Sequence, residues 1–255
     1  MTIRVYLTGR VGVQVDGNPA IREEQFRGRQ ERLAFAYLVS RREQPVQRDD
    51  LAAVLWPSEA DLPPAWQTAL SALLSRLRHL LSCDALRPYN TGISRGFGQY
   101  QLRLPADTFV DVDYAAHAVD IAEGALKLGD PRGAFGQAWA AVVITRRPFL
   151  SGETGPWVEA QRGRQHRQLI RALECMARSW LATGEPLLAV EAASEAVSLD
   201  GLREASYHLL MRAYDASGNR PEAIKTYHRL RERLVDELGS DPSRETEALF
   251  LELLG

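Results

Sequence analysis

Through the first fifteen residues the apolar side chains alternate: Val5 and Leu7, then Val11, Val13 and Val15, around Gly9 and Gly12, with Asp16-Gly17 closing the run. A period of two ending in Asp-Gly predicts a small β-hairpin. The period then lengthens. From Gln30 to Arg41, Leu33, Ala36, Tyr37 and Val39 fall at helical spacing, and Gln44-Pro45 stops the helix. A shorter helix is predicted from Asp49 to Trp56, with Leu51, Val54 and Leu55 inward and Asp49 as its cap. Pro57, Pro63 and Pro64 mark a loop.

From Pro64 to Leu81, at about 100° per residue, the residue types separate onto two sides. One side holds Trp66, Ala69, Leu70, Leu73, Leu74, Leu77, Leu80 and Leu81. The other holds Gln67, Thr68, Ser71, Ala72, Ser75, Arg76, Arg78 and His79, with no acid among them. Taken alone this is an amphipathic surface helix. A merely solvated face, however, mixes in Glu and Asp, whereas small hydroxyl residues with Arg suit close approach to phosphates and base edges.

Pro88–Ile93 and Gln99–Leu104 flank Ser94-Arg95-Gly96-Phe97-Gly98, which predicts a second hairpin with Arg95 near its tip. Hairpin, helices, hairpin is the order of a winged helix-turn-helix. There the last helix enters the major groove, and the wing reaches an adjacent phosphate or the minor groove.

From Asp113 onward no strand pattern remains. Helices are separated by Gly, one or two residues, then Pro: Gly129-Asp130-Pro131, Gly184-Glu185-Pro186, Gly218-Asn219-Arg220-Pro221 and Gly239-Ser240-Asp241-Pro242. Gly ends one helix in a left-handed conformation and Pro opens the next, with Asp130 or Asp241 as N-cap. Gly184 and Gly218 are 34 residues apart, and the same offset maps Trp180 onto Tyr214, Ala189 onto Ala223 and Val190 onto Ile224. That is the tetratricopeptide period, whose stacked helices usually bind a polypeptide or pack on a neighbouring domain. Trp139, Trp157, Trp180, Tyr207, Tyr214 and Tyr227 read as repeat core.

The net charge of -2 argues against a nucleic-acid partner until it is located along the chain. Residues 1–105 carry fourteen Arg against ten acids; residues 106–255 carry seventeen bases against twenty-three acids. Within Leu62–Pro105 there are five Arg and one acid, Asp84. Cys83 and Cys175 form no CxxC, so neither a zinc cluster nor a disulfide framework is indicated, and a reducing cytoplasm fits. The start of the chain lacks an apolar signal core, and the longest apolar run, Ala138–Ile144, falls far short of the roughly 20 residues that span a bilayer. His117, His166, His208 and His228 have no metal spacing, and neither a nucleophile–base pair nor a phosphate-binding glycine fingerprint is readable. No enzyme, cofactor, metal or membrane is therefore expected.

The chain resembles the SARP-type (Streptomyces antibiotic regulatory protein) transcriptional activators. The resemblance rests on Arg29-Gln30-Glu31-Arg32-Leu33-Ala34, Leu55-Trp56-Pro57, Leu74-Ser75-Arg76-Leu77-Arg78-His79-Leu80-Leu81 and Gly98-Gln99-Tyr100-Gln101-Leu102. It continues in Val110-Asp111, Trp157-Val158-Glu159-Ala160-Gln161-Arg162, Leu202-Arg203-Glu204, Leu210-Met211-Arg212-Ala213-Tyr214 and Glu237-Leu238-Gly239-Ser240-Asp241-Pro242-Ser243. Two departures stand out: Asp200-Gly201 where the family commonly has Pro, and a wing closer to those of some response regulators. The resemblance implies a mainly α chain, with an OmpR-like winged helix over residues 1–105 and a tetratricopeptide-like bacterial transcriptional activation domain over 106–255. It implies a cytoplasmic, DNA-binding activator of a specialised-metabolite (antibiotic) gene cluster. Two protomers would bind tandem direct repeats and recruit RNA polymerase holoenzyme with its sigma factor. No phosphorylation input is visible.

Carried onto this sequence, the recognition helix assigns Thr68, Ser71, Ser75, Arg76 and Arg78 to the major groove, with Arg76 and Arg78 suited to bidentate contact with guanine or phosphate. Arg78 could instead pair with an acid of the helical region. His79 is a surface or phosphate-facing residue, Arg95 a minor-groove, phosphate or merely solvated one, and Arg48 a phosphate candidate. Glu59 and Asp61 lie in the Ser58–Pro64 loop, where the resembling regulators approach polymerase; alone it is an exposed acidic loop. With ~4 to 6 phosphates neutralised per protomer, affinity should fall steeply with salt. The competing reading is an interaction scaffold or effector-responsive regulator, a repressor included, with the winged helix as a docking module.

Overall fold

The computed structural model describes residues 2–255, and these divide into two compact units, residues 2–114 with Arg147–Arg164, and Ala115–Arg146 with Gln165–Gly255. The packing boundary thus differs from a cut after Pro105, because three long-range attachments extend the first unit.

In that unit Ile3–Tyr6 (β1), Gly12–Val15 (β2) and Asn18–Ile21 (β3) form an antiparallel meander. The predicted hairpin is therefore one strand short. Asp16 and Gly17, both at positive φ (50° and 82°), make the two-residue turn that starts β3. Phe109–Val110 (β7) adds in parallel to β1, giving the order β3-β2-β1-β7. Asp111 then accepts hydrogen bonds from the backbone of Leu7 and Thr8 at 2.9–3.0 Å and from the Thr8 hydroxyl at 2.7 Å. The third attachment is the stretch after Arg146: Gly9 N donates to Pro148 O and Leu150 N to Leu7 O. Trp157 packs edge-on against Tyr37 and Phe149, so it belongs to this core and not to the repeats.

Helices Arg29–Ser40 (α1), Arg48–Leu55 (α2) and Trp66–Leu81 (α3) follow the meander. Leu70, Leu73, Leu74, Leu77 and Leu81 are buried on α3, as its period predicts, beside Leu33, Phe35 and Leu38 of α1 and Leu51 of α2 in one core. Helix α2 begins one residue before Asp49 and has no side-chain cap: Val46–Gln47 (β4) pairs with Gln99–Arg103 (β6) and fixes the entry instead. The second hairpin is Gly92–Gly96 (β5) with β6, shorter than predicted because Arg87–Tyr89 forms a 3-10 turn. Its tip is Phe97-Gly98, and Arg95 sits one residue inside the strand. The arrangement is a winged helix-turn-helix.

The second unit is helical. It comprises most of Asp111–Lys127 (α4) and of Pro156–Ala182 (α6), with Pro131–Thr145 (α5), Pro186–Leu199 (α7), Glu204–Ala216 (α8), Arg220–Leu238 (α9) and Arg244–Leu254 (α10). The glycine punctuation is as predicted: Gly129, Gly184, Gly218 and Gly239 all take positive φ, 65° to 80°. Asp130 caps α5, accepting from Gly133 N at 2.9 Å. Asp241 does not cap α10; Ser243 does, through Thr246 N. The repeat-related Ala189 and Ala223 are both fully buried, and small residues such as Ala134, Ala138, Ala172 and Ala193 let the helices approach closely. Trp180 packs on Phe135 in a tilted pair with centroids 4.4 Å apart, whereas Trp139 is 50% exposed and is not core. This is the tetratricopeptide-like half of the fold. Among the described residues no helix is long and apolar enough to cross a membrane.

Candidate nucleic-acid interface

The outward side of α3 exposes Gln67, Thr68, Ser71, Ala72, Ser75, Arg76 and His79 on consecutive turns. Leu70, Leu73, Leu74, Leu77 and Leu81 of its inward side are fully buried, so the rotation of the helix is fixed and these side chains share one face. Arg76 is not free on that face. Its Nε is ion-paired and hydrogen-bonded to Oε1 of Glu31, which lies 3% exposed on α1 and also accepts from Arg27 N at 2.8 Å. The contact uses the guanidinium nitrogen nearest the chain, and the Arg76 side chain remains 41% exposed.

Arg78 has another partner than either sequence reading gave it. It is half-buried, and its Nε donates to Ile93 O of β5 at 2.9 Å, tying the helix to the wing. Arg48 is likewise partly engaged: its guanidinium lies 5.1 Å from the Trp66 ring centroid at the start of α3, and Nε reaches Asp49 at 3.3 Å. Its backbone N–H donates to Gly98 O at 3.0 Å, fixing the wing turn to the start of α2. Arg95 is exposed on β5 opposite Tyr100. Glu59 and Asp61 are exposed in a turn closed by Ser58, whose hydroxyl donates to Asp61 at 2.7 Å.

Two residues stand out that the sequence reading passed over. Glu31 was legible in principle: at i, i+4 and i+7 with Phe35 and Leu38 it is an acid on an apolar stripe, which demands a buried partner. Phe97 at the wing tip carries no such periodic signal. A second buried carboxylate, Glu153, is held by Arg29 and Arg32 at 2.9 and 2.5 Å, so α1 is pinned by ion pairs on two sides.

Residues 110–254 match the family model of the bacterial transcriptional activator domain. The chain is 30% identical over 214 residues to the regulatory protein AfsR of Streptomyces coelicolor, and 27% identical over 226 residues to that of Streptomyces griseus. These matches cover 84% and 88% of this chain but 20% and 22% of the relatives, so it spans about a fifth of their length. Among solved structures, Mycobacterium tuberculosis EmbR in complex with a low-affinity phosphopeptide superposes with a TM-score of 0.84 at 24% identity, over 99% of this chain and 65% of that one. That likeness extends the fold across both units. The chain belongs to the bacterial transcriptional activator domain family.

Proposed function

We propose that this regulator is a cytoplasmic, sequence-specific DNA-binding activator, with residues 1–105 as the DNA-binding domain and 106–255 as the activation domain. The observation that carries the reading is the acid-free outward face of α3, braced by the Arg78–Ile93 hydrogen bond to the wing. A helix meant only for solvent has no need of such a face. Thr68, Ser71 and Ser75 are short enough to let the helix backbone close on base edges, and the Arg76 Nη pair suits a guanine edge or a phosphate. Arg78, Arg48 and Arg95 add positive charge around it, and together with His79 they position the protein on phosphates.

In this scheme two protomers occupy tandem direct repeats beside a promoter of a specialised-metabolite cluster. The exposed Glu59 and Asp61 meet RNA polymerase holoenzyme at or near its sigma factor. No reaction is catalysed. The test is a gel-shift titration of duplexes tiling the intergenic DNA beside its own gene, at two salt concentrations, followed by footprinting. Binding that weakens steeply with salt and protects two equally oriented half-sites supports the reading. Failure to bind any fragment, or salt-insensitive binding to all of them, overturns it. Reversing the charge of Glu59 and Asp61 should leave the gel shift intact and lower transcription in vitro.

A further inference from the structure

Phe97 is the most exposed large apolar side chain among the described residues, at 106%, and it stands at the tip of the wing. Its backbone makes the position more unusual. Phe97 (φ 50°) and Gly98 (φ 75°) form the two-residue loop between β5 and β6, and both have positive φ, as a type I′ turn requires. Asn, Asp or Gly meet that requirement readily, whereas a bulky aromatic is strained there. The hairpin alone gives no reason for Phe97, since its ring packs on nothing that would offset the strain.

The tip is also narrow and firmly mounted. Gly96 and Gly98 on either side carry no side chain, and a Cβ on either would meet nothing within 4 Å, so a single ring projects from a thin edge. Three contacts hold that edge: the β5–β6 ladder, Arg48 N to Gly98 O at 3.0 Å, and Arg78 Nε to Ile93 O at 2.9 Å. The last two anchor it to α2 and to the outward-facing helix α3. The wing's own charge has one sign, since Arg95 is exposed and no acid occurs from Ala85 to Ala106; the acids at its α2 mooring are Asp49, ion-paired with Arg48, and Asp50.

A firmly mounted apolar blade on an acid-free, Arg-bearing hairpin matches the minor groove of duplex DNA, where apolar side chains wedge between base pairs and bend the helix. We propose that Phe97 enters the minor groove next to the major groove occupied by α3 and partly unstacks one base step, while Arg95 lies along the groove. The inference rests on the DNA-binding reading above. The exposed Arg95 two residues from the ring, on a hairpin without acids, favours a polyanion over an apolar protein groove as its occupant.

The experiment uses the full chain and the tiled duplexes just described, with Phe97→Asn, Phe97→Leu and the unaltered protein. Bending is read by circular permutation of the retained fragment, and unstacking by 2-aminopurine fluorescence placed step by step across the footprint. The unaltered protein should bend the fragment by roughly 20–90° and raise fluorescence at one step. Phe97→Asn should abolish both signals and weaken binding about tenfold, while raising the thermal midpoint by about 2 °C because the turn is relieved of strain. Phe97→Leu should keep most of the bend. Unchanged bending and affinity in Phe97→Asn overturn the inference and leave DNA binding standing; so does a variant that loses only transcription, which would place Phe97 against polymerase. Absence of binding by the unaltered protein overturns both readings together.

Discussion

Glu31 and Arg76 are bound to each other across α1 and α3, the acid 3% exposed and the base 41%. A buried carboxylate with one guanidinium partner and one backbone donor is sensitive to the loss of either. Arg76→Gln should therefore destabilise the first unit by about 1 to 3 kcal/mol, because Glu31 is left inside without its cation. Glu31→Gln should cost a similar amount. The double variant should regain roughly half or more of the summed loss, because the pair is a coupled unit. Denaturant unfolding checks this, and additivity within ~0.5 kcal/mol would contradict the coupling. If Arg76 also contacts DNA, the double variant recovers stability and not affinity.

How much of this was legible depends on whether a signal was local. The face of α3 could be read because a helical period with leucines on one side leaves one rotation of the helix, and the burial of Leu70, Leu73, Leu74 and Leu77 follows. The glycine-terminated helices were legible for the same local reason. Strand β3 was not, since Asn18-Pro19-Ala20-Ile21 contains a proline and buries only Ile21. Strand β7 requires a parallel partner about a hundred residues earlier, and the return of Pro148–Trp157 to the first unit depends on backbone pairing that no pattern encodes. At the interface, the residue types on α3 were readable and their partners were not. Arg76 and Arg78 looked alike in sequence, yet one meets a buried acid and the other a strand carbonyl.

Asp111 is buried at the junction of β1, β7 and α4, and both its oxygens receive N–H donors: Oδ1 from Leu7 and Val112, Oδ2 from Leu7 and Thr8. Asp111→Asn would turn an amide NH2 toward one of those donors, so it should cost about 2 to 4 kcal/mol despite its equal size. Burial raises the Asp111 carboxyl above its ordinary value, the hydrogen bonds from Thr8, Leu7 and Val112 opposing this only in part. A folded-state value above the unfolded one means that the native state binds the proton more tightly. The stability this linkage contributes is present below the ordinary carboxylate range and lost as pH rises through the raised value. Unfolding of the parent and Asp111→Ala from acid to neutral pH should show the parent's advantage shrinking upward; an advantage that grows with pH would contradict the assignment.

The joint between α8 and α10 should respond in the opposite sense. Glu204 accepts from Ser243 N at 3.0 Å, from Ser243 Oγ at 2.7 Å and from the buried Thr246 hydroxyl, while His208 Nε2 lies 2.5 Å from Thr246 Oγ1. With the threonine proton given to Glu204, His208 must donate from Nε2, so Nδ1 is the site left to protonate. Burial lowers the His208 value, although Glu204 and Glu245 nearby pull it up. Burial would raise Glu204, but the hydrogen bonds from Thr246 and Ser243 outweigh it and leave the group lowered. Both groups are lowered on folding, so both contribute stability above their unfolded values that is lost as pH falls through the folded ones. The second unit should therefore loosen below about pH 6.5, with amide exchange rising first in α10. In His208→Gln that loss should move toward the carboxylate range; an unchanged profile would remove His208 from the response.

Arg78 is the residue whose replacement best separates bracing from base reading. Its Nε holds Ile93 O, so Arg78→Ala leaves a strand carbonyl without that donor and should cost about 1 to 2 kcal/mol. Arg78→Lys keeps the charge but replaces a planar donor with a flexible point charge, and should recover only part of the bond. Neither change touches the β5–β6 ladder or the Arg48–Gly98 contact, so the wing should remain folded while its amide exchange increases from Gly92 to Gly96. The two roles then part in the DNA measurement. A brace acts through the wing, so Arg78→Ala should weaken all fragments by a similar factor, with the footprint narrowed at the wing side. A base reader would instead flatten discrimination at one base pair by about 1 to 3 kcal/mol and leave wing exchange as it was. The geometry of the Ile93 contact favours the first outcome.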